Sequence, residues 1–359
     1  MKMNNAFNKI KFLLTRPKVV MVLGNGKETA AQAISQVLGR SSRAGKDVLV
    51  YQADASNEKE AEFLLKNAKS IILVLTRVGE YHTDKEFFAA EKPDIALIEK
   101  LIRVLPAQAN LVLNFDDETI RDLKNQTSVS TLFFGFGVRA NIQATDVFLT
   151  QLPDLGTNFK INYEGNIVPV WLKHLFGKEH IYAALAGVAV GELSGLNLVQ
   201  VSDALKSYQG LPGRMKLIEG IKNTLILDDS ESATPLSMSE ALDVLKKIDP
   251  PAGGRGGGRK IAVLGDIVGV SQYVPETHEA IGEMVKASAD LLFTVGPRAK
   301  FYAEGAKRMG FAPDRIFSFD EVPATGLALQ KEMKQGDLIL IDGSRELQMA
   351  KVVNEIRKI

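Results

Sequence analysis

Strand-length apolar runs alternate with helix-length segments along most of this chain, and that alternation limits it to one class of architecture. The first series runs through Val19–Leu23, Val48–Gln52, Ser70–Thr76 and Asn110–Asn114, with helices expected at about Thr29–Leu38, Lys59–Asn67 and Ile95–Leu105 between them. Such an order predicts a parallel sheet covered by helices on both faces. Next come Thr131–Phe136, Ile142–Thr150, Asn158–Tyr163 and Ile167–Leu172. Glu164-Gly165-Asn166 supplies turn chemistry between the last two, so this stretch reads as an antiparallel, hairpin-containing annex. The Ala/Gly-rich segment Tyr182–Ser194 reads as a helix packed closely on a neighbour.

A second series begins after Arg214. Strands are expected at Thr224–Leu227, Lys260–Leu264, Leu291–Val295, Arg315–Phe317 and Asp337–Ile341. Helices are expected at about Ser237–Ile248, Glu276–Ala287, Ala299–Met309 and Ala324–Met333. The layout is Rossmann-like. Pro250–Gly258, rich in glycine, reads as a flexible surface loop. A length of 359 residues also suits two domains rather than one core. The fold class expected is therefore α/β: a P-loop-type parallel sheet domain with a small antiparallel annex, then a Rossmann-like α/β domain.

Composition removes several kinds of function. The formal net charge is +1, with 24% charged residues, so there is no electrostatic sign of a nucleic-acid partner. Cysteine is absent, which excludes disulfides, thiolate metal sites and cysteine nucleophiles. Near the N-terminus the apolar run Phe12–Leu14 is too short for a signal-peptide core or a membrane span. Residues 1–16 read as a basic helix packed on the protein's own body, without a transmembrane segment, and the expected location is cytoplasmic.

The turn after the first strand, Gly24-Asn25-Gly26-Lys27-Glu28-Thr29-Ala30, is the candidate phosphate site. A phosphate loop needs backbone N–H groups wrapped around the anion, a Lys reaching the β and γ oxygens, and a Ser/Thr hydroxyl for Mg2+. Lys27 meets the second need, and Thr29 is the hydroxyl nearest the third. Glu28 stands where the metal-holding hydroxyl belongs. A carboxylate about 4 Å from a phosphate oxygen is opposed by roughly 4 kcal/mol per charge pair at an effective dielectric near 20. Glu28 binding Mg2+ itself is the alternative. A nicotinamide-dinucleotide turn fits poorly, because Gly24-x-Gly26 lacks the third spaced glycine.

A longer pattern gives this turn a context. Pro212-Gly213-Arg214 leads into Thr224–Leu227 and then Asp228-Asp229-Ser230-Glu231-Ser232-Ala233-Thr234-Pro235-Leu236-Ser237-Met238. This resembles the hinge and first strand-to-loop turn of the Mur ligases, ATP-dependent enzymes that add amino acids to peptidoglycan precursors, in particular those joining a UDP-N-acetylmuramoyl-tripeptide to D-alanyl-D-alanine. The likeness extends to Gly79-Glu80-Tyr81-His82, Glu86–Phe88, Asn114-Phe115-Asp116-Asp117, Gly177–Leu185, Leu264-Gly265-Asp266 with His278, and Gly343-Ser344-Arg345. It covers the chain from Pro17 onward. It implies a central ATP-binding domain at 17–212 and a C-terminal Rossmann-like domain at 213–359, in a short form without the N-terminal domain that grips the UDP-sugar.

The resemblance further implies ATP and Mg2+ as cofactors, held by named residues. Gly24, Asn25, Gly26, Lys27 and Thr29 would surround the phosphates, and Thr29, His82 and Glu28 would face the metal. Lys27 and His82 would be the catalytic pair, His180 would meet adenine, and Arg214 and Asp229 would meet the nucleotide and its ribose. Several positions depart from the family. The phosphate turn is one residue short, Val50 replaces a metal-binding glutamate, and Ile98 stands at the lysine that family members carbamylate. Lys100 lies two residues away, about 200° around a helix. His180 and Ala183 replace asparagines, which weakens adenine recognition, and Asp342 replaces a lysine.

Two functions follow as expectations. One is an acid–amino acid ligase of cell-wall peptide precursors, ADP-forming and impaired by these departures. The other is a catalytically inactive relative that binds a nucleotide, a precursor peptide or amino acid, or a protein partner.

Overall fold

The structure is a computed structural model and describes residues 6–39, 47–78, 95–231, 233–251, 257–268 and 274–358. His82 with the rest of Gly79–Phe88, Ser232, and the centre of the glycine-rich loop at 252–256 lie outside the described residues. Helices are α1 (Ala6–Thr15), α2 (Lys27–Gly39), α3 (Glu58–Asn67), α4 (Ile95–Arg103), α5 (Glu118–Asp122), α6 (Lys178–Leu193), α7 (Leu198–Leu205), α8 (Pro235–Lys247), α9 (Val274–Ser288), α10 (Lys300–Arg308), α11 (Val322–Glu332) and α12 (Ala350–Ile356). Strands β1 (Lys18–Leu23), β2 (Val48–Gln52), β3 (Ser70–Leu75), β4 (Asn110–Asn114), β5 (Ser130–Gly135), β6 (Ile142–Thr150), β7 (Gly156–Tyr163) and β8 (Asn166–Lys173) form one sheet. Strands β9 (Lys216–Glu219), β10 (Leu225–Asp229), β11 (Lys260–Gly265), β12 (Leu291–Val295), β13 (Ile316–Phe319) and β14 (Leu338–Asp342) form a second.

The first sheet has the order β2-β1-β3-β4-β5-β6-β7-β8. Strands β1 to β5 pair in parallel, and β6, β7 and β8 are antiparallel to one another. Residues buried on both faces explain why β1, β3 and β4 are continuously apolar: each face of the sheet carries its own core. Ile34, Val37 and the small residues of α6 pack on one side, and Leu64, Leu101 and Ile120 on the other. The small side chains of α6 do bring a neighbour close, and that neighbour is α2. A Cβ added at Gly187 would stand 3.2 Å from Val37 Cγ2, and one at Gly191 would stand 3.1 Å from Val37 Cγ1 as well as 2.7 Å from Val201 Cγ2 on α7.

The annex is continuous with the parallel sheet, because β5 pairs in parallel with β4 and, over two residues, with β6. Its hairpin turn has Glu164 at φ 48° and Gly165 at φ 77°. Two successive positive φ angles are what a two-residue turn between twisted strands requires. The second sheet, ordered β13-β12-β11-β14-β10-β9, is parallel except for the edge strand β9. Helices α8, α9 and α10 cover one face, and α11 and α12 the other.

Strand β9 and helices α7 and α12 were not anticipated from the sequence. Each is short, with four, eight and seven residues; β9 and α12 depend on packing against longer neighbours, whereas α7 carries a local start signal, the reciprocal capping box of Asn197 and Gln200. Helix α6 starts four residues before its expected position, after Gly177 at φ 84°.

Candidate nucleotide crevice

Strand order places the glycine turn. In the first sheet the chain leaves β1 for β2 on one side, whereas it leaves the adjacent β3 for β4 on the other, so the direction of winding reverses between β1 and β3. Ligands of open α/β sheets lie beyond the carboxyl ends of strands at such a switch point. Gly24-Asn25-Gly26 follows β1 there, with Gly24 at φ 99° and Gly26 at φ 77°. The turn is pinned to the end of β3: Asn25 N–H donates to the Arg77 carbonyl at 2.6 Å, and the Thr76 hydroxyl to the Asn25 carbonyl at 2.7 Å. A Cβ on Gly24 would stand 2.4 Å from the Arg77 carbonyl oxygen. Glycine is therefore required both by conformation and by space.

Helix α2 starts at once, aiming its N-terminal dipole at whatever lies above the turn. What lies there is Glu179, from the first turn of α6. Its carboxylate accepts a hydrogen bond from the Thr29 hydroxyl, and a Cβ on Gly26 would stand 3.2 Å from Glu179 Cγ. Thr29 is fully buried, so its side-chain hydroxyl is turned to Glu179 and not to open solvent. Lys27 reaches sideways to Asp54 beyond the end of β2, Nζ to Oδ2 3.2 Å. The Ser56 hydroxyl and, behind it, the Lys27 ammonium hold the Asp54 carboxyl below its ordinary range.

The opposing wall is the hinge. Arg214 Nη2 lies 3.9 Å from Glu28 Oε2, and Nη1 lies 3.9 Å from Glu179 Oε2. The hinge backbone is itself clamped. Asp228 accepts from Gly213 N–H at 3.0 Å, and Asp229 from Met215 N–H at 3.1 Å. Burial, and then the Glu179 charge, push the Asp229 carboxyl well above its usual value. His180 Nε2 stands 2.6 Å from the Arg214 carbonyl. A carbonyl only accepts, so Nε2 carries the proton and Nδ1, 3.3 Å from the Tyr208 hydroxyl, is the acceptor of the neutral ring. Burial lowers the His180 pKa and favours that neutral form.

The expected site residues thus fall into separate groups. Gly24, Asn25, Gly26, Glu28, Thr29, Arg214 and Asp229 gather about the crevice between the two sheets, whereas both ring nitrogens of His180 are engaged by protein partners. Ile98 is a core residue on α4, and Lys100 instead forms surface ion pairs with Glu58 and Glu62. Asp266 accepts from Arg298 N–H ahead of α10, and Arg345 pairs with Glu231, Nε to Oε2 2.8 Å. Among the described residues no group of three or more His, Asp or Glu side chains is placed to hold a metal ion. No helix of the described residues is long and apolar enough to cross a membrane.

Sequence reasoning missed the part played by Glu179, Asp54 and Tyr208. The available signal was an acid in the first turn of α6. The space in the crevice is correspondingly uneven. Beside Glu179, His180 and Asp229 it leaves about 30 Å³, near the minimum for a water. Towards Glu28, Arg345 and Arg357 it opens into about 510 Å³, within the range of small-molecule sites. As folded, the turn does not fit a γ-phosphate and its Mg2+: the position over Gly26 is filled by a carboxylate, and Thr29 and Lys27 are both engaged elsewhere.

Comparison with known proteins places this crevice in a lineage. Residues 213–345 match the family model described as Mur ligase, glutamate ligase domain. The chain is 26% identical over 370 residues to the UDP-N-acetylmuramoyl-tripeptide--D-alanyl-D-alanine ligase of Bacillus subtilis (strain 168), covering 94% of this chain and 76% of the relative. To the Escherichia coli (strain K12) ligase of the same name it is 28% identical, over 71% of this chain and 53% of that protein. Among solved structures, MurF from Acinetobacter baumannii superposes with a TM-score of 0.75 at 20% identity, over 97% of this chain and 78% of that one. MurF ligase from Thermotoga maritima in complex with ADP gives 0.71 at 19% identity, over 99% and 86%. With two α/β units in the same arrangement, a hinge arginine between them and a C-terminal half that the family model matches, the chain belongs to the Mur ligase family.

Proposed function

We propose that this chain is a Mur ligase-like acid–amino acid ligase of cell-wall peptide precursors whose ATP-driven amide-bond formation is impaired, with residues 17–212 as the ATP-binding domain and 213–359 as the C-terminal domain. The observation that carries the reading is the convergence of the β1 turn and the hinge. Arg214 reaches Glu28 and Glu179 from one side, and Asp228 and Asp229 hold the hinge backbone from the other. Nucleotide recognition falls to Gly24, Asn25, Gly26, Arg214 and Asp229. The family resemblance implies catalytic and metal roles for Lys27, Thr29 and His82, which Lys27 and Thr29 would take only after leaving Asp54 and Glu179.

Impairment follows from the same geometry. Lys27 and Thr29 must each break an existing contact before touching a phosphate, and Ile98 supplies no ligand. Removing one well-placed stabiliser of developing charge lowers kcat by about 10²–10³. The test is phosphate release by the purified full chain with MgATP, UDP-N-acetylmuramoyl-tripeptide and D-alanyl-D-alanine, beside the Bacillus subtilis relative. We expect release at least about 100-fold slower than the relative's, and dependent on both acceptors. Equal rates refute the impairment. No release above the blank, with nucleotide or precursor still bound in calorimetry, supports instead the inactive binding protein. That second reading draws on Ile98, a core residue where the resemblance implies the metal-bridging lysine.

A further inference from the structure

We infer that Glu179 is a specificity-determining residue: a tethered anion that occupies the phosphate turn and excludes polyphosphate from it. The inference rests on the crevice being the nucleotide site, as proposed above. Its support is the set of groups around one carboxylate. Oε1 accepts from the buried Thr29 hydroxyl, Oε2 lies 3.9 Å from Arg214 Nη1, and the side chain covers Gly26 at the start of α2. A hydroxyl donor, a guanidinium and a helix N-terminus are the components of an oxyanion site. Here the oxyanion belongs to the chain. Because Glu179 sits on the first turn of α6, which packs along α2, its carboxylate is delivered to the turn by two rigid elements.

Charge balance sharpens the consequence. Glu28 and Glu179 share Arg214, and Asp54 takes Lys27, so the cations that a phosphate would need are already matched by carboxylates. An incoming phosphate must displace Glu179 while that carboxylate stays tethered a few ångströms away, at high effective concentration. The uncharged part of a nucleotide is not opposed by the Glu179 charge. The turn therefore discriminates against the phosphates and not against the nucleoside.

The experiment is calorimetry on the full chain with three probes: adenosine, MgADP and inorganic tripolyphosphate. The variants are Glu179→Gln, which keeps the shape and one acceptor while removing the charge, and Glu179→Asp, which keeps the charge. Glu179→Ser is a second uncharged side chain should the first variant not fold. We expect Glu179→Gln to bind tripolyphosphate and MgADP at least tenfold more tightly than the unaltered chain, Glu179→Asp to show no such gain, and adenosine to bind all forms alike. Folded uncharged variants that gain nothing towards tripolyphosphate overturn the inference. Failure of adenosine and MgADP to bind any form, with tripolyphosphate gained, instead sinks the nucleotide reading and leaves Glu179 as the anion gate.

Discussion

Asp342 offers a direct test of how this fold handles a misplaced charge. It ends β14, in register with Asp229 at the end of β10, is fully buried, and among the described residues neither carboxyl oxygen has a hydrogen-bond partner. Burial, and then the Asp229 charge, push its pKa well above the ordinary value. The sign follows from proton binding. A folded carboxyl that holds its proton while the unfolded one releases it makes the folded state bind more protons, so stability falls as pH rises. The loss begins above the unfolded value near 3.9 and continues at about 1.4 kcal/mol per pH unit until the folded carboxyl itself titrates. If the proton is held throughout, the ceiling at neutral pH is about 4 kcal/mol.

Replacing Asp342 by Asn isolates that quantity. A neutral carboxylic acid and an amide are nearly isosteric, and in this pocket both lack partners, so their shared desolvation cost of about 1–3 kcal/mol cancels. What remains is the proton. Urea unfolding between about pH 5 and pH 8 is expected to show D342N gaining on the unaltered chain as pH rises, by up to about 1.4 kcal/mol per unit. Hydrogen exchange of the β10 and β14 amides is expected to slow in parallel, because the strained pair lies at the ends of those strands. A stability difference that is flat with pH refutes the reasoning, since it means that Asp342 is ionised and compensated in the folded chain.

Two further outcomes follow from the same physics. His278 is fully exposed to none of the solvent: its Nδ1 faces the Val274 carbonyl at 2.7 Å, its Nε2 accepts from Ile267 N–H at 3.3 Å, and burial lowers its pKa to about 4. A lowered histidine pKa makes stability fall as pH drops from the unfolded value near 6.5 towards 4, by at most roughly 3 kcal/mol, and His278→Gln is expected to flatten that part of the urea-midpoint profile. Gly24→Ala combines a left-handed backbone at φ 99° with a Cβ 2.4 Å from the Arg77 carbonyl. Conformational strain of about 1–2 kcal/mol and overpacking of about 1–3 kcal/mol should lower thermal stability visibly, and an unchanged Tm contradicts the turn geometry.

The central strands β1, β3, β4, β11, β12 and β14 were legible because burial on two faces makes each a nearly continuous apolar run. The Glu164-Gly165 turn was legible because its positive φ angles select a short list of residues. Glycine spacing likewise marked the turn after β1, and the family resemblance drew attention to Arg214 and Asp229 opposite it. Short elements such as β9 and α12 carried no comparable signal, since their stability comes from the neighbours they pack on.

Where the charged side chains go is a different matter. Thr29 and Glu179 are separated by 150 positions, and Lys27 meets Asp54 across 27. No local pattern reports such pairings, because they depend on how α6 lies along α2 and how β2 ends beside β1. Residue types announced a phosphate turn at the head of a helix. The packing of two helices put a carboxylate into it, since a buried donor set takes the nearest anion that the fold can deliver.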